Sequence, residues 1–351
     1  MLKRSHTRIF IVDDSAFFSR FVETEFKNNF PEFEIVGTEQ DPLKAIDRII
    51  ETKPDVVTID FEMPHMNGIE MLERLLPKIK VPVIIASSKT VNVLEALSSG
   101  AVDFIKKPDL SPESKGVFIR ELSKKIEIAK YAKVILPSER KVVTPAKPDT
   151  VQAIPQRINY VKDESIIAIG SSTGGPDALM KILTKLPANI PPIVIVQHMP
   201  ENFTKLLAER IDKNCAFSAF ESENGMRLKN GMCVVGKAGL QMKVMKDNKG
   251  YYIIHEKDIV KPLHSPSVDV LFDSVAKSAG RNAIGVILTG MGADGAKGML
   301  NMKKSGAYTI GQDEKTCVVY GMPMEAFKLG AVEIQLPLTS IADHIIKKLN
   351  S

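Results

Sequence analysis

Short apolar runs alternate with amphipathic stretches along the first third of the chain. Apolar residues such as Phe118, Leu122 and Ile126 recur at the spacing of one helix face. Strands rich in Val and Ile that alternate with such helices are typical of a parallel sheet covered on both faces. The pattern therefore predicts a doubly wound α/β domain with strands at 9–12, 34–38, 56–59, 83–86 and 102–105.

A second alternating pattern begins at Ser165. Its apolar runs predict buried parallel strands at 166–169, 193–197 and 283–288, with helices at 176–186 and 292–304. Three shorter runs, at 233–235, 243–245 and 251–254, are separated by Gly and Asn and favour a short antiparallel insertion. We therefore expect a second α/β domain with a mostly parallel sheet.

The stretch between the two patterns is rich in proline. Pro137, Pro145, Pro148 and Pro155 stand there among charged and polar residues. Because proline extends neither a helix nor a central strand, this stretch predicts a semi-extended linker. We expect a first domain at 7–132, a linker at 133–164 and a second domain at 165–351.

Composition narrows the class of protein. A length of 351 residues is long for one core, and 44% apolar with 25% charged residues is ordinary for globular domains. The net charge of +5 is too small to favour a nucleic-acid partner. Cys215, Cys233 and Cys317 form neither a metal-ligand pattern nor a disulfide framework, which indicates a reducing cytosol. No apolar run approaches the roughly 20 residues that span a bilayer, so we expect a soluble cytoplasmic protein.

Three carboxylates follow strands of the first domain. Asp13 and Asp14 come after the first strand, and Asp60 ends the third. The carboxyl ends of neighbouring parallel strands converge, and carboxylates gathered there repel one another unless a hard cation such as Mg²⁺ joins them. Ser87 and Lys107 follow the fourth and fifth strands and could hold phosphoryl oxygens at the same edge. The alternative is that Asp13 and Asp14 cap the first helix and Asp60 begins a turn.

These residues, together with Glu62-Met63-Pro64, Asn67-Gly68 and Lys107-Pro108, resemble the receiver domain of two-component response regulators. The resemblance covers the whole first domain and implies a flavodoxin-like fold in which Asp60 accepts a phosphoryl group from a histidine kinase. It also implies that Mg²⁺ is held by Asp13, Asp14, Asp60 and the backbone of Glu62. Ser87 and Lys107 would sense the phosphorylated state.

Ser172 stands at the carboxyl end of a predicted buried strand and just before a helical pattern. Gly170-x-Ser172-x-Gly174 fits a nucleophile elbow, in which small neighbours permit a sharp turn that exposes the hydroxyl. Free N–H groups at the start of the helix can meet a developing negative charge. The same residues could instead cradle a phosphate or simply turn the chain.

Two further polar residues follow predicted strands in the second domain. His198 comes after 193–197, and Asp294 comes after 283–288 at the start of a helix. They are candidates for the base that activates Ser172 and for the acid that orients the imidazole. The N–H of Met291, in the same glycine-rich turn as Asp294, is a candidate oxyanion donor. A structural histidine and a helix-capping aspartate are the alternatives.

Asp269 and Asp273 are rivals to Asp294. Their helical spacing with Val270 and Leu271 indicates a solvated helix face, which makes them weaker candidates. The chain order Ser172, His198, Asp294 also differs from that of the α/β-hydrolases, in which the acid precedes the histidine.

The second domain resembles the catalytic domain of the chemotaxis protein-glutamate methylesterases, the CheB family. The matching segments are Gly170-Ser171-Ser172-Thr173-Gly174-Gly175, Gln197-His198-Met199-Pro200, Pro266-Ser267-Val268-Asp269 and Leu288-Thr289-Gly290-Met291-Gly292-Ala293-Asp294-Gly295. The resemblance implies that Ser172 is the nucleophile, His198 the base and Asp294 its partner, with an oxyanion held by backbone N–H groups of Thr173 and Met291. His264-Ser265 departs from the arginine expected in that loop.

The family resemblance also implies which substrate is hydrolysed and that phosphorylation regulates the activity. The expected activity is a phosphorylation-activated hydrolysis of glutamate methyl esters on methyl-accepting chemoreceptors, with glutamine deamidation as a second activity. A chemotaxis histidine kinase would be the phosphodonor; Mg²⁺ would serve the receiver only, and ester hydrolysis would need no cofactor. We expect no nucleic-acid partner and no membrane insertion.

Three other functions compete with this one. The second domain could act only as a binding module, and an inert Ser172 would reveal that. A DNA-binding output is disfavoured, because the second half has no helix-turn-helix signal and no concentrated basic stripe. A general esterase for small substrates would prefer simple acyl esters to receptor methyl esters.

Overall fold

The structure, a computed structural model, describes residues 6–88, 93–109, 111–134, 164–257 and 264–351. The chain divides into two compact units, Met1–Val142 and Val143–Ser351. Of the predicted linker at 133–164, only Lys133, Val134 and Glu164 lie within the described residues. No helix in the described ranges is both long enough and apolar enough to cross a lipid bilayer.

The described part of the first unit alternates strands with helices. The strands are β1 (Thr7–Val12), β2 (Phe33–Glu39), β3 (Val56–Asp60), β4 (Val83–Ser87) and β5 (Asp103–Lys106). The helices are α1 (Ala16–Asn29), α2 (Pro42–Thr52), α3 (Gly68–Leu75), α4 (Val93–Ser98) and α5 (Pro112–Ala129). The strands form one parallel sheet in the order β2-β1-β3-β4-β5, which confirms the predicted doubly wound domain.

Local sequence accounts for these elements. Every residue of β3 and β4 is buried, as expected for Val- and Ile-rich strands with helices on both faces of the sheet. Ser15 caps α1, since its Oγ accepts a hydrogen bond from Phe18 N at 3.2 Å. Asp13 and Asp14 are therefore not needed to cap α1, which was the alternative to a role in metal binding.

The second unit is built around a larger sheet. Its strands are β6 (Ile166–Ser171), β7 (Ile193–Gln197), β8 (Ser218–Glu221), β9 (Met232–Val235), β10 (Gln241–Asp247), β11 (Gly250–Glu256), β12 (Ala283–Ile287), β13 (Tyr308–Gln312) and β14 (Ile334–Leu336). Its helices are α6 (Gly175–Leu183), α7 (Phe203–Asn214), α8 (Val268–Ala279), α9 (Ala296–Lys304), α10 (Met322–Lys328) and α11 (Leu338–Leu349). The seven-stranded sheet is parallel, in the order β14-β13-β12-β6-β7-β9-β8, and β10 and β11 form a separate antiparallel pair.

One strand assignment from the sequence is wrong. The run at 233–235 was expected in the antiparallel insertion, but β9 pairs in parallel with both β7 and β8. Cys233, Val234 and Val235 are fully buried, as in a strand enclosed by neighbours. Within the described residues, the insertion therefore consists of β10 and β11.

One helix begins later than its pattern suggests. The stretch 292–304 becomes helical only at Ala296, because Gly292 and Gly295 adopt φ values of +89° and +94°. The chain between β12 and α9 is therefore a glycine-rich loop. β6, β7 and β12 are neighbours at the centre of the parallel sheet, so the segments that follow them meet at one edge.

Candidate active site and acidic site

Ser172 lies in a tight turn directly after β6. Its N–H donates to Thr289 O at 3.0 Å, and its carbonyl accepts from Gly175 N at 2.7 Å. Gly174 turns the chain into α6 with a φ of +77°, a conformation that favours glycine. The serine is half-buried, and its Oγ has no hydrogen-bond partner among the described residues.

His198 lies beside the serine because β6 and β7 pair in parallel. Ser171 is the register partner of Gln197, and His198 N donates to Ser171 O at 3.1 Å. The His198 ring is hydrogen-bonded through Nε2 to Asp294 Oδ2 at 2.7 Å. Its buried Nδ1 has no hydrogen-bond partner in the part of the chain that the structure describes. Nδ1 is therefore the nitrogen available to exchange a proton.

Asp294 does not cap the helix that follows it. Its carboxylate instead lies at the amino terminus of α8, where it accepts hydrogen bonds from Ser267 Oγ, Val268 N and Asp269 N at 2.7, 2.8 and 3.0 Å. Burial alone would raise the pKa of Asp294, but these donors and His198 outweigh burial and lower it. The side chain stays ionised and can stabilise a protonated His198.

Asp269 has a different environment from the solvated helix face expected from the sequence. It is half-buried, its Oδ1 accepts from Gly298 N at 2.7 Å, and burial raises its pKa. Asp273 Oδ1 accepts from Asn301 Nδ2 at 2.7 Å. Both carboxylates thus join α8 to α9, and in the described structure neither is hydrogen-bonded to His198.

The loop after β12 closes the site on the other side of the serine. A Cβ atom on Gly290 would lie 2.7 Å from the Ser172 Cβ and 3.1 Å from Ser172 N, so only glycine permits this approach. Met291 is 38% exposed, and its N–H has no acceptor among the described residues. Thr173 is buried, and its carbonyl accepts from Thr289 Oγ1 at 2.9 Å.

The sequence assigned no role to three residues near the site. The His264 ring stacks on that of His198, with centroids 4.0 Å apart and planes at 7°. Gln241 holds this segment, since its Nε2 donates to His264 O at 3.0 Å and its Oε1 accepts from Ser267 N at 2.8 Å. A serine before a helical pattern signals the capping role of Ser267. No local signal marks the other two, because their partners are distant in sequence.

The acidic residues of the first unit also meet. Carboxylate oxygens of Asp13, Asp14 and Asp60 lie within 4.8 Å of one another. Lys107 Nζ stands between two of them, 2.7 Å from Asp13 Oδ2 and 2.8 Å from Asp60 Oδ2. Burial raises the pKa of Asp60 to about 6 and also raises that of Asp13. The two buried carboxylates of Asp13 and Asp60 converge here with the exposed one of Asp14, and carboxylate oxygens are the ligands that Mg²⁺ prefers, so the donor set fits that ion.

The rest of the predicted acidic site lies around these carboxylates. Glu62 N donates to Asp60 Oδ1 at 3.2 Å, which places that backbone at the site. Ser87 is buried at the end of β4, and its carbonyl accepts from Lys107 N at 2.8 Å. Asp14, Asp60 and Lys107 line an open cavity of about 360 Å³. A phosphoryl group can therefore reach Asp60 from solvent.

Comparison with known proteins gives the family. The model of the CheB methylesterase matches residues 167–345, and that of the response regulator receiver domain matches residues 9–113. The chain is 43% identical over 343 residues to protein-glutamate methylesterase/protein-glutamine glutaminase 2 of Syntrophomonas wolfei subsp. wolfei, with 97% of each chain covered. It is 41% identical over 353 residues to the protein-glutamate methylesterase/protein-glutamine glutaminase of Salmonella typhimurium, covering 99% of this chain and 98% of that relative.

A solved structure agrees with these matches. The crystal structure of the Thermotoga maritima CheB methylesterase catalytic domain is 37% identical in sequence, with a TM-score of 0.52. The match covers 53% of this chain and 100% of that one. The chain therefore belongs to the CheB methylesterase family and carries a response regulator receiver domain ahead of its catalytic domain.

Proposed function

We propose that this chain is a phosphorylation-activated serine esterase that hydrolyses glutamate methyl esters on the cytoplasmic domains of chemoreceptors. In this proposal the receiver spans 7–132, the linker 133–164 and the methylesterase domain 165–351. The observation that carries the proposal is the 2.7 Å hydrogen bond between His198 Nε2 and Asp294. His198 follows β7, the strand that pairs with β6, and Ser172 follows β6. A serine beside an imidazole that is hydrogen-bonded to an ionised carboxylate can act as a nucleophile, with the imidazole as its base and the carboxylate as the acid that orients the base.

The first half of the reaction acylates Ser172. Its Oγ bonds to the side-chain carbonyl carbon of the methylated glutamate while its proton passes to His198 Nδ1. The charge of Asp294 stabilises the imidazolium that results. Backbone N–H groups of Thr173 and Met291 hold the oxyanion of the tetrahedral intermediate.

The second half releases the products. The carbon–methoxide bond breaks, and His198 gives its proton to the departing oxygen, so methanol leaves. Water then loses a proton to His198 and attacks the acyl carbon, and Ser172 leaves with that proton to yield free glutamate. A glutamine side chain follows the same course with ammonia as the leaving group. These groups supply every proton and charge that the steps need, so we propose that ester hydrolysis takes no cofactor.

The receiver is proposed to control this activity through Asp60. Asp13, Asp14, Asp60 and the backbone of Glu62 would hold Mg²⁺, which supplies positive charge for the oxygens of an incoming phosphoryl group. Lys107 Nζ, which now pairs with Asp13 and Asp60, would exchange one of them for a phosphoryl oxygen, and Ser87 would bind another. Phosphorylation raises turnover at Ser172 only if the phosphorylated receiver favours the more active form of the enzyme.

The partners follow from this chemistry and from the relatives. Methyl-accepting chemoreceptors would supply the ester, and a chemotaxis histidine kinase would supply the phosphoryl group. Relatives named protein-glutamate methylesterase/protein-glutamine glutaminase support both the ester and the amide substrate. We propose that the enzyme acts in the cytoplasm, without nucleic acid and without inserting into the membrane.

Methanol release from methylated receptor membranes tests the esterase. The wild-type chain should release methanol, whereas Ser172→Ala should release none above background. A serine-directed phosphonate should label the wild type on Ser172 and block its turnover. Release of methanol by Ser172→Ala would refute the serine mechanism, and an inert wild type would favour a domain that only binds its partner.

A further inference from the structure

Gln197, the last residue of β7, connects the nucleophile and the base through its side chain. It is only 2% exposed. Its Nε2 donates to the carbonyl oxygen of Ser172 at 2.8 Å and to that of His198 at 3.0 Å. One buried amide thus holds the main chain of both reacting residues.

A second side chain determines which way this amide points. Ser171 Oγ donates to Gln197 Oε1 at 2.6 Å, and Ser171 is fully buried. Both amide hydrogens and the amide oxygen are therefore paired. A flipped amide would set its oxygen against the carbonyls of Ser172 and His198, where oxygen has no hydrogen to accept. The observed orientation is the one in which all of these groups are satisfied.

Gly175 provides the space for this arrangement. A Cβ atom there would lie 1.9 Å from Gln197 Oε1 and 2.9 Å from Ser171 Cβ. Gly175 N also donates to the Ser172 carbonyl, which consequently accepts two hydrogen bonds. The glycine at the start of α6 and the glutamine at the end of β7 therefore depend on each other.

We infer that Gln197 is a positioning residue, which sets the separation between Ser172 Oγ and the His198 ring by holding their backbones. The inference rests on the proposed function, in which these two groups exchange a proton. Proton transfer and nucleophilic attack depend steeply on geometry, and a displacement of about 1 Å lowers the rate on the order of 100-fold. Loss of the amide should therefore lower kcat, while KM, which reflects the rest of the cleft, changes little.

Three variants separate this role from a general loss of structure. Gln197→Met keeps the length of the side chain and removes both polar atoms. Gln197→Glu keeps the acceptor for Ser171 but removes the donor, and Ser171→Ala leaves the glutamine in place without its orienting hydroxyl. Thr309→Val is the matched control. The buried Thr309 hydroxyl donates to Ala331 O and accepts from Glu333 N, and the substitution removes both hydrogen bonds. Thr309 lies near the amino end of β13 in the same sheet, whereas Gln197 lies at the carboxyl end of β7.

The assay measures kcat and KM for methanol release per active site, with sites counted by complete phosphonate labelling, together with the rate of that labelling. We expect kcat to fall about 100-fold in Gln197→Met and Gln197→Glu and about 10-fold in Ser171→Ala, with KM within about threefold of wild type. Phosphonate labelling should slow in the same order. Thr309→Val should lose melting temperature but keep kcat per site.

The result that overturns the inference is a kcat per site and a labelling rate within about twofold of wild type in both Gln197→Met and Ser171→Ala. If Gln197→Met does not fold, Ser171→Ala and Gln197→Glu decide the question. A failure of the proposed function can be distinguished from a failure of the inference about Gln197. In that case the wild type releases no methanol, and the labelling rates still report whether Gln197 controls the reactivity of Ser172.

Discussion

The Asp294 carboxylate meets the His198 ring at Nε2, with 2.7 Å between the two atoms. In the familiar Ser-His-Asp arrangement the acid holds Nδ1 and the base uses Nε2. Here Nδ1 is buried and has no partner among the described residues, so in the proposed reaction the two ring nitrogens would exchange roles. The acid is also held by the first turn of α8, through Val268 N and Asp269 N.

Asp294→Asn should abolish most of the activity without unfolding the protein. An amide fits the space at the start of α8, although its NH2 replaces an oxygen that accepts hydrogen bonds there, and it carries no charge to stabilise a protonated His198. We expect kcat for methanol release to fall about 10³- to 10⁴-fold with little change in KM. A variant that keeps more than about a tenth of wild-type kcat would show that Asp294 is not the orienting acid.

Ser267→Ala tests the support of that acid. The serine donates to Asp294 Oδ1 at 2.7 Å and also caps α8. We expect a loss of about 1 kcal/mol in the free energy of unfolding and a drop of about 10-fold in kcat. Ser111→Ala removes an equivalent cap from α5 and serves as the control, since it should lose stability without loss of basal turnover.

Gly290→Ala should displace the nucleophile. The new Cβ would lie 2.7 Å from Ser172 Cβ and 2.4 Å from Met322 Sδ, so the loop or the serine must move. We expect kcat to fall about 10- to 100-fold. At Gly285 a Cβ would meet the flexible ends of Met302 at 3.1 Å and Met299 at 3.6 Å, and Gly285→Ala should keep its kcat. Equal activity in the two alanine variants would contradict the close approach of the loop to Ser172.

The sequence predicts the residues of the site better than their contacts. Ser172, His198 and Asp294 could be found because each follows a buried strand, and parallel strands bring their carboxyl ends together. The contact of Asp294 with the start of α8 could not be predicted from the sequence, because it depends on how two helices pack. The same holds for the His264 ring, whose stacking partner is 66 residues away along the chain.

Some strands of the fold were predicted from the sequence and others were not. All five strands of the receiver were predicted, since each contains a short apolar run between helical stretches. β8, β13 and β14 were missed because they are short or mixed in polarity, and only their neighbours in the sheet make them strands. β9 was placed in the insertion because a four-residue strand near glycines also fits a hairpin.

Asp60→Asn should stabilise the metal-free receiver at neutral pH. Burial raises the pKa of Asp60 from 3.8 to about 6, so the folded carboxyl keeps its proton after the unfolded one has lost it. The contribution of this group to stability is present below pH 3.8 and is lost as the pH rises to about 6. Removing the charge should therefore gain about 1–3 kcal/mol near pH 7.

Thermal melts in a chelating buffer check this expectation. The gain of Asp60→Asn over wild type should shrink as the pH falls from about 6 and be lost near pH 3.8. Mg²⁺ should raise the melting temperature of the wild-type receiver and have less effect on the variant, which has lost a ligand. Asp103→Asn, which removes an ion pair of 3.0 Å to Lys125, is the control and should gain no stability. A destabilised Asp60→Asn at neutral pH would contradict the cost assigned to the buried charge.

Phosphorylation of Asp60 is proposed to control an esterase whose nucleophile is Ser172. The most direct test is the rate of methanol release from methylated receptor membranes, before and after addition of a small phosphodonor with Mg²⁺. We expect the rate to rise in the wild type and to stay at its basal value in Asp60→Asn, and we expect no release in Ser172→Ala under either condition. An unchanged wild-type rate, in protein shown by mass to be phosphorylated on Asp60, would contradict it.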